Sequence, residues 1–90
     1  MLKYTKHTLQ KLEHILKEAG YQIRYGKGNF TSGYCLLNEQ QIIVVNKFYD
    51  IEARITCLIE LLVITNIDET KLEQKTRKHF QEFLKHIEQV

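Results

Sequence analysis

Histidines are the side chains of this chain that could most readily hold a metal ion, and their spacing argues against a site on one helix. His7 and His14 are separated by seven positions, and so are His79 and His86. Two helical turns place such residues roughly 10.5 Å apart, which is too far for both to bind one ion. We therefore predict no metal site and no cofactor.

The two cysteines give no sign of catalysis. Cys35 and Cys57 lie within apolar runs and lack the CxxC spacing of a redox or metal motif. Neither lies in the context of a helix start or glycine-rich turn that would lower the pKa of a thiol. We expect both to be reduced, buried and structural.

The segment from residue 21 to residue 34 alternates aromatic rings with cationic side chains, a pattern typical of single-strand nucleic-acid binding. Rings can stack on bases for about 1–3 kcal/mol each while Lys and Arg contact phosphates. The formal net charge of the chain is only +2, so packing of half these rings in the core is the competing interpretation. The candidate binding residues are Arg24, Tyr25, Lys27, Phe30 and Tyr34.

Three helices are predicted around this segment. Apolar residues at helical spacing before Gly20 predict an amphipathic helix over residues 5–19. Asp50 can cap a second helix over residues 51–65, and apolar residues extend so far around it that we expect it to be nearly surrounded by protein. A last helix is predicted to start at Asp68, with a core stripe of Leu72, Thr76, Phe80, Phe83 and Ile87.

Three strands are predicted between the first two helices. Alternating apolar residues from Tyr21 to Tyr25 form the first, residues 30–37 the second, and residues 42–45 the third. The third is apolar on both faces, which predicts a central strand with cover above and below. Turns at residues 26–29 and 38–40 favour antiparallel hairpins. The predicted fold is α+β, of order α-β-β-β-α-α, with a small three-stranded, mainly antiparallel sheet packed with helices.

Length and composition limit the class of protein. Ninety residues form one domain, here residues 1–90, that buries about 60–65% of its unfolded surface. The longest apolar run, residues 61–64, is far shorter than the roughly 20 residues of a membrane span. The N-terminus also lacks the apolar stretch of a signal peptide. We expect a cytoplasmic protein without a membrane partner.

The strand Ile43-Val44-Val45-Asn46 and the helix after it carry a resemblance to a known family. Arg54, Thr56, Glu60 and Leu61 match, in register, a helix of the form R-F-T-x-A-H-E-L-G-H. This portion resembles the ImmA/IrrE family of small zinc peptidases, in which the two histidines hold the metal. Here those positions are Ile59 and Val63. The resemblance implies a peptidase-like frame without zinc ligands, on which Arg54, Thr56 and Glu60 are remnants of the motif.

Shorter phrases carry a second resemblance. They are similar to a group of short hypothetical proteins from Bacteroidetes, which implies no particular activity. The phrases are Lys27-Gly28-Asn29-Phe30, Ser32-Gly33-Tyr34-Cys35 and Val44-Val45-Asn46-Lys47-Phe48.

These observations favour a non-catalytic protein-interaction or regulatory module over an enzyme. Its surplus of apolar surface would be covered by a protein partner or by a second copy, as in a homodimer. One alternative is single-strand nucleic-acid binding through residues 21–34. Another is a hydrolase with a rebuilt site near Glu60, whose side chain could be exposed or enclosed beside a cation.

Overall fold

The computed structural model describes residues 3–27, 34–37 and 41–88. Within these ranges, three helices and a short 3₁₀ helix accompany a three-stranded sheet. The elements are α1 (Lys6–Glu18), β1 (Gln22–Gly26), β2 (Tyr34–Leu37), β3 (Ile42–Asn46), α2 (Ile51–Ile64), the 3₁₀ helix (Glu69–Lys71) and α3 (Gln74–Glu88).

Side chains from the local sequence cap α2 and the 3₁₀ helix. The Asp50 carboxylate accepts from the amide of Ala53 at 2.8 Å, which confirms it as the cap of α2. Asp68 accepts from the amide of Thr70 at 3.0 Å. It therefore caps the 3₁₀ helix, and the predicted start of the last helix at Asp68 is wrong. Leu72 has an extended backbone, with ψ 139°, so α3 begins only at Gln74.

The sheet is mixed, with strand order β1-β3-β2. β1 runs parallel to β3, with Gln22 opposite Ile42, whereas β2 runs antiparallel to β3, with Tyr34 opposite Val45. The predicted mainly antiparallel sheet is therefore wrong, because β3 lies between the two strands that were expected to form a hairpin. The burial pattern accounts for this strand order. Ile43 and Val45 are fully buried, as expected in the central strand, whereas the side chains of Gln22 and Arg24 on the edge strand β1 are exposed. The predicted central position of β3 is confirmed.

The helices pack on the sheet face that carries Ile43 and Val45. Burial of each large aliphatic side chain contributes about 1.5–3 kcal/mol, so this layer holds most of the stabilising contacts. α1 contacts both α2 and α3. The largest fully buried side chains are Leu12, Ile15, Leu16, Ile43, Ile55, Leu58, Leu61, Leu62 and Val45.

α2 is a surface helix. Its polar side and part of its apolar side face solvent, with Val63 55% and Ile64 53% exposed. The expectation that protein would nearly surround this helix is therefore wrong, because its neighbours cover only the side that carries Ile55, Leu58 and Leu62. Among the described segments, no helix combines the length and apolar character that a bilayer crossing needs.

Candidate functional site

Arg54 connects α2 to the sheet. Its Nε donates to the carbonyl of Tyr49 and its Nη2 to the carbonyl of Lys47, both at 2.9 Å. The guanidinium also lies over the Tyr25 ring, 4.6 Å from the ring centroid. Arg54, one of the residues that match the peptidase motif, therefore fixes the connection between β3 and α2 against β1.

Tyr25 lies on the helix side of the sheet, although the sequence made it a candidate binding residue. Its hydroxyl donates to the Glu13 carboxylate of α1. Burial, and then the hydrogen bond to Glu13 and its charge, raise the pKa of Tyr25 well above its ordinary value of 10.0, against a smaller lowering by Arg54. The ring is thus committed to contacts inside the protein.

The other candidate binding residues do not gather around Tyr25 within the described ranges. Arg24 precedes Tyr25 on β1, and successive strand residues point to opposite faces, so Arg24 lies exposed on the other face. Lys27 is exposed just beyond the end of β1. Phe30 lies outside the described residues, and Tyr34 is described only by its backbone pairing with Val45.

The solvent side of α2 carries the remaining motif positions. We call it the α2 outer face and define it as Glu52, Thr56, Ile59, Glu60, Val63 and Ile64. Glu60 is exposed, between a half-buried Ile59 and an exposed Val63. The Thr56 hydroxyl donates to the carbonyl of Glu52 at 3.0 Å, within the helix. Both positions that would carry histidine in a zinc peptidase are therefore aliphatic and reach the helix surface.

The α2 outer face is acidic and apolar. Glu52 and Glu60 supply its charges, and the Arg54 guanidinium is held elsewhere by two carbonyl groups. Behind the face, burial and then the Glu60 charge raise the pKa of the Cys57 thiol. The predicted burial of Cys57 is confirmed, with 5% of the residue exposed, whereas the side chain of Cys35 lies outside the described residues.

Two polar stripes with identical spacing were missed by sequence reasoning. One lies on α1 and the other on α3, and each has members at i, i+4, i+7 and i+11, which share one helix face. The α1 stripe is His7, Lys11, His14 and Glu18. The α3 stripe is Lys75, His79, Glu82 and His86. The repeated spacing was the available signal, but only the packing of α1 on α3 shows that the stripes border one groove.

We call this the α1–α3 groove. The two helices run antiparallel there, since His7 lines a cavity together with Glu82 and His86, whereas Glu18 bonds to Thr76. His7 and His14 are exposed, and His79 and His86 are partly buried. Within residues 3–27, 34–37 and 41–88, no three His, Cys, Asp or Glu side chains are grouped so that they could hold a metal ion.

No protein-family model matches this sequence, and no curated protein or solved structure shows significant similarity to the chain. The resemblance to zinc peptidases therefore rests on the matched residues of β3 and α2, and function has to be inferred from the two surfaces.

Proposed function

We propose that this protein is a non-catalytic protein-interaction module whose α2 outer face docks a segment of a partner protein rich in apolar and basic side chains. The observation that carries the proposal is the exposure of Val63 and Ile64, each more than half accessible, on both sides of Glu60. Exposed β-branched aliphatic side chains on a helix add no hydrophobic stabilisation, and they slightly disfavour helix formation. Their burial by a partner would add hydrophobic stabilisation.

The negative charge of the α2 outer face indicates a basic partner. The chain has a formal net charge of +2, yet the α2 outer face carries two carboxylates and no Lys or Arg. Complementary potentials guide encounter and suppress wrong partners. A partner helix with an apolar stripe flanked by Lys or Arg would meet both requirements, in the manner of other amphipathic helices that bind an apolar surface.

A second copy of the chain fits this face less well. A two-fold contact pairs the same patch with itself, so Glu52 and Glu60 of both copies would be brought together. Like charges at close range oppose such a contact. We expect sedimentation velocity at micromolar concentration to show a monomer. A dimer that strengthens with salt and dissociates on Val63→Gln would replace the partner protein by a second copy.

A synthetic amphipathic helix of Leu and Lys is a direct probe, with a Leu and Glu peptide as its counterpart. We expect the Leu and Lys peptide to shift the amide resonances of the α2 outer face in an NMR titration, although the net charge of the chain repels it. Val63→Gln should weaken binding, and Glu60→Gln should weaken it and reduce its salt dependence.

Phe48→Gln is the matched control, because Phe48 is 70% exposed but precedes α2. The Lys47 Nζ lies over its ring, 5.4 Å from the ring centroid. An equal loss of binding in the Phe48 variant would mean that the peptide recognises exposed apolar groups in general. Shifts confined to other helices would contradict the proposed surface.

The alternatives receive less support. Nucleic-acid binding through residues 21–34 would need the Tyr25 ring, which is held between Arg54 and Glu13. A hydrolase built around Glu60 would need further polar groups beside that exposed carboxylate, and Ile59 and Val63 occupy the adjacent positions. The peptidase-like frame and the cytoplasmic location remain predictions from the sequence.

A further inference from the structure

The α1–α3 groove contains two adjoining cavities of about 440 and 340 Å³. Both are within the range of small-molecule sites. His7 and Lys11 line both cavities and therefore lie between them. The larger cavity is completed by Lys3, Thr5, Thr8, Glu82, Phe83 and His86. The smaller one is completed by Gln10, His14, Glu73, Lys75, Thr76 and His79.

The lining of the groove is net positive. Three lysines, at positions 3, 11 and 75, are opposed by Glu73 and Glu82. A third carboxylate, Glu18, is not among the lining residues but keeps its negative charge beside the smaller cavity, where it accepts from the Thr76 hydroxyl and lies 2.5 Å from His14 Nε2. All four histidines of the chain also line the groove. Because protonation adds a positive charge to a histidine, the groove becomes more positive as these side chains take up protons.

His79 is partly buried beside these lysines. Burial, then the charge of Lys11, and to a smaller extent Lys75 and His7, lower the pKa of His79 against the opposite influence of Glu82. Burial disfavours a charge of either sign, whereas the charges of Lys11, Lys75 and His7 favour a bound anion.

We propose that the α1–α3 groove binds an oligophosphate group, with phosphates in both cavities and Lys11 between them, and that this binding tightens as the histidines become protonated. Lysine, threonine and protonated histidine supply N–H and O–H donors, which phosphate oxygens accept. Two adjoining positive cavities favour a ligand with several neighbouring charges over a single anion. This site is separate from the α2 outer face and does not depend on the docking function.

The test uses the full chain and three probes: tripolyphosphate, pyrophosphate and inorganic phosphate. We expect tripolyphosphate to bind saturably and to shift the resonances of His7, Lys11 and His79, and inorganic phosphate to bind much more weakly. Histidine protonation should raise the affinity by up to about tenfold for each pKa unit by which the ligand raises one histidine, and proton uptake by the phosphate itself opposes part of this rise. The NMR pKa of His79 should rise on binding.

Lys11→Gln should lower the affinity for tripolyphosphate about tenfold, since a charge-assisted hydrogen bond is lost in both cavities. Lys17→Gln is the matched control, because it removes the same charge from α1 but lies outside both cavities. His79→Gln should reduce the pH dependence. Circular dichroism checks the fold of each variant, and Lys75→Gln replaces Lys11→Gln if the latter unfolds.

Three results would overturn the proposal. The first is equal weakening by Lys11→Gln and Lys17→Gln, which would indicate only diffuse attraction. The second is a pH dependence between pH 6 and pH 8 that is the same for His79→Gln as for the wild-type chain, since proton uptake by the phosphate is common to both. The third is an oligonucleotide that binds the groove while tripolyphosphate fails to displace it, which would make nucleic acid the ligand.

Discussion

One carboxylate joins the first helix to the last, and its removal should cost a large part of the stability. Glu18 Oε1 accepts from the amide of Glu73 at 2.8 Å, and Oε2 accepts from the Thr76 hydroxyl at 2.9 Å. The amide of Arg77 donates to the carbonyl of Glu73 at 2.8 Å, so Glu73 holds the N-cap position of α3. Glu18 therefore supplies, from 55 positions away along the chain, an acceptor for the start of α3.

The size of the effect follows from these contacts. Glu18→Ala removes two charge-assisted hydrogen bonds and leaves the hydroxyl of Thr76, a residue only 4% exposed, without its acceptor. Each loss is worth about 1–3 kcal/mol, and water can replace part of the bond to the Glu73 amide, so we expect a total of about 2–4 kcal/mol. Stability at the usual rate per residue is roughly 5–13 kcal/mol. Glu18→Gln should cost about 1 kcal/mol, because the amide can accept from Glu73 and donate to Thr76.

The contribution of Glu18 should depend on pH. Burial raises the pKa of Glu18, but the Glu73 amide, the Thr76 hydroxyl and His14 together hold it below its ordinary value of 4.5. A carboxyl group with a lowered folded-state pKa stabilises the protein above its unfolded-state pKa. That stabilisation is lost as the pH falls through the folded-state value. The difference between wild type and Glu18→Gln should therefore be complete at neutral pH and should shrink below pH 4.5.

Urea unfolding followed by circular dichroism at pH 7 and at about pH 3 measures both effects. Glu60→Ala is the control, because Glu60 is an exposed glutamate within α2 and its loss should change the free energy of unfolding by no more than about 0.5 kcal/mol. The double variant with Thr76→Val should show a coupling energy of about 1 kcal/mol or more. If Glu18→Ala and Glu60→Ala unfold at the same urea concentration, the inferred role of Glu18 as a cap is wrong.

Three further substitutions test other contacts. Tyr25→Phe should lower stability by about 1 kcal/mol through loss of the bond to Glu13. Because the pKa of Tyr25 is raised well above 10.0, its stabilisation is complete below pH 10 and is lost as the pH rises through the folded-state pKa. An ultraviolet titration of the variant should lack the last tyrosine to ionise. Gly20→Ala should cost about 1–3 kcal/mol in thermal unfolding, since Gly20 has φ 101° and a Cβ there would lie 3.3 Å from Gln41 Oε1. Arg54→Lys should cost about 1–2 kcal/mol in urea, because an ammonium cannot reproduce both carbonyl contacts and the stacking on the ring.

Local signals in the sequence predicted the capped start of α2 and the central position of β3. The cap at Asp50 depends only on the nearby amide of Ala53. The apolar run 42–45 predicts a central strand whichever strands pair with it. Strand pairing was not local in this way. The turn signals favoured hairpins between consecutive strands, but β1 pairs with β3 across residues that include all of β2. The need of β3 for partners at both edges outweighed proximity in the sequence.

The candidate surfaces were harder to predict for a related reason. Apolar periodicity predicted which α2 residues would be buried, but it could not show how many neighbouring elements would be present to cover them. Val63 and Ile64 therefore reach solvent although their residue types suggested burial. The α1–α3 groove requires contact between positions such as Glu18 and Thr76, which are 58 apart in the chain. Spacing within one helix does not reveal the face of another helix that will meet it.

The two surfaces of this protein should respond differently to solution conditions. α1 lies against both α2 and α3, and its fully buried Leu12, Ile15 and Leu16 fix its orientation. The histidine stripes are thereby held in the groove, and the charge of the groove increases where histidines protonate. The α2 outer face contains no histidine, so its acidic character does not change with histidine protonation. Peptide docking and oligophosphate binding should therefore respond differently in a titration between pH 6 and pH 8, because the groove gains positive charge as its histidines protonate and the α2 outer face does not.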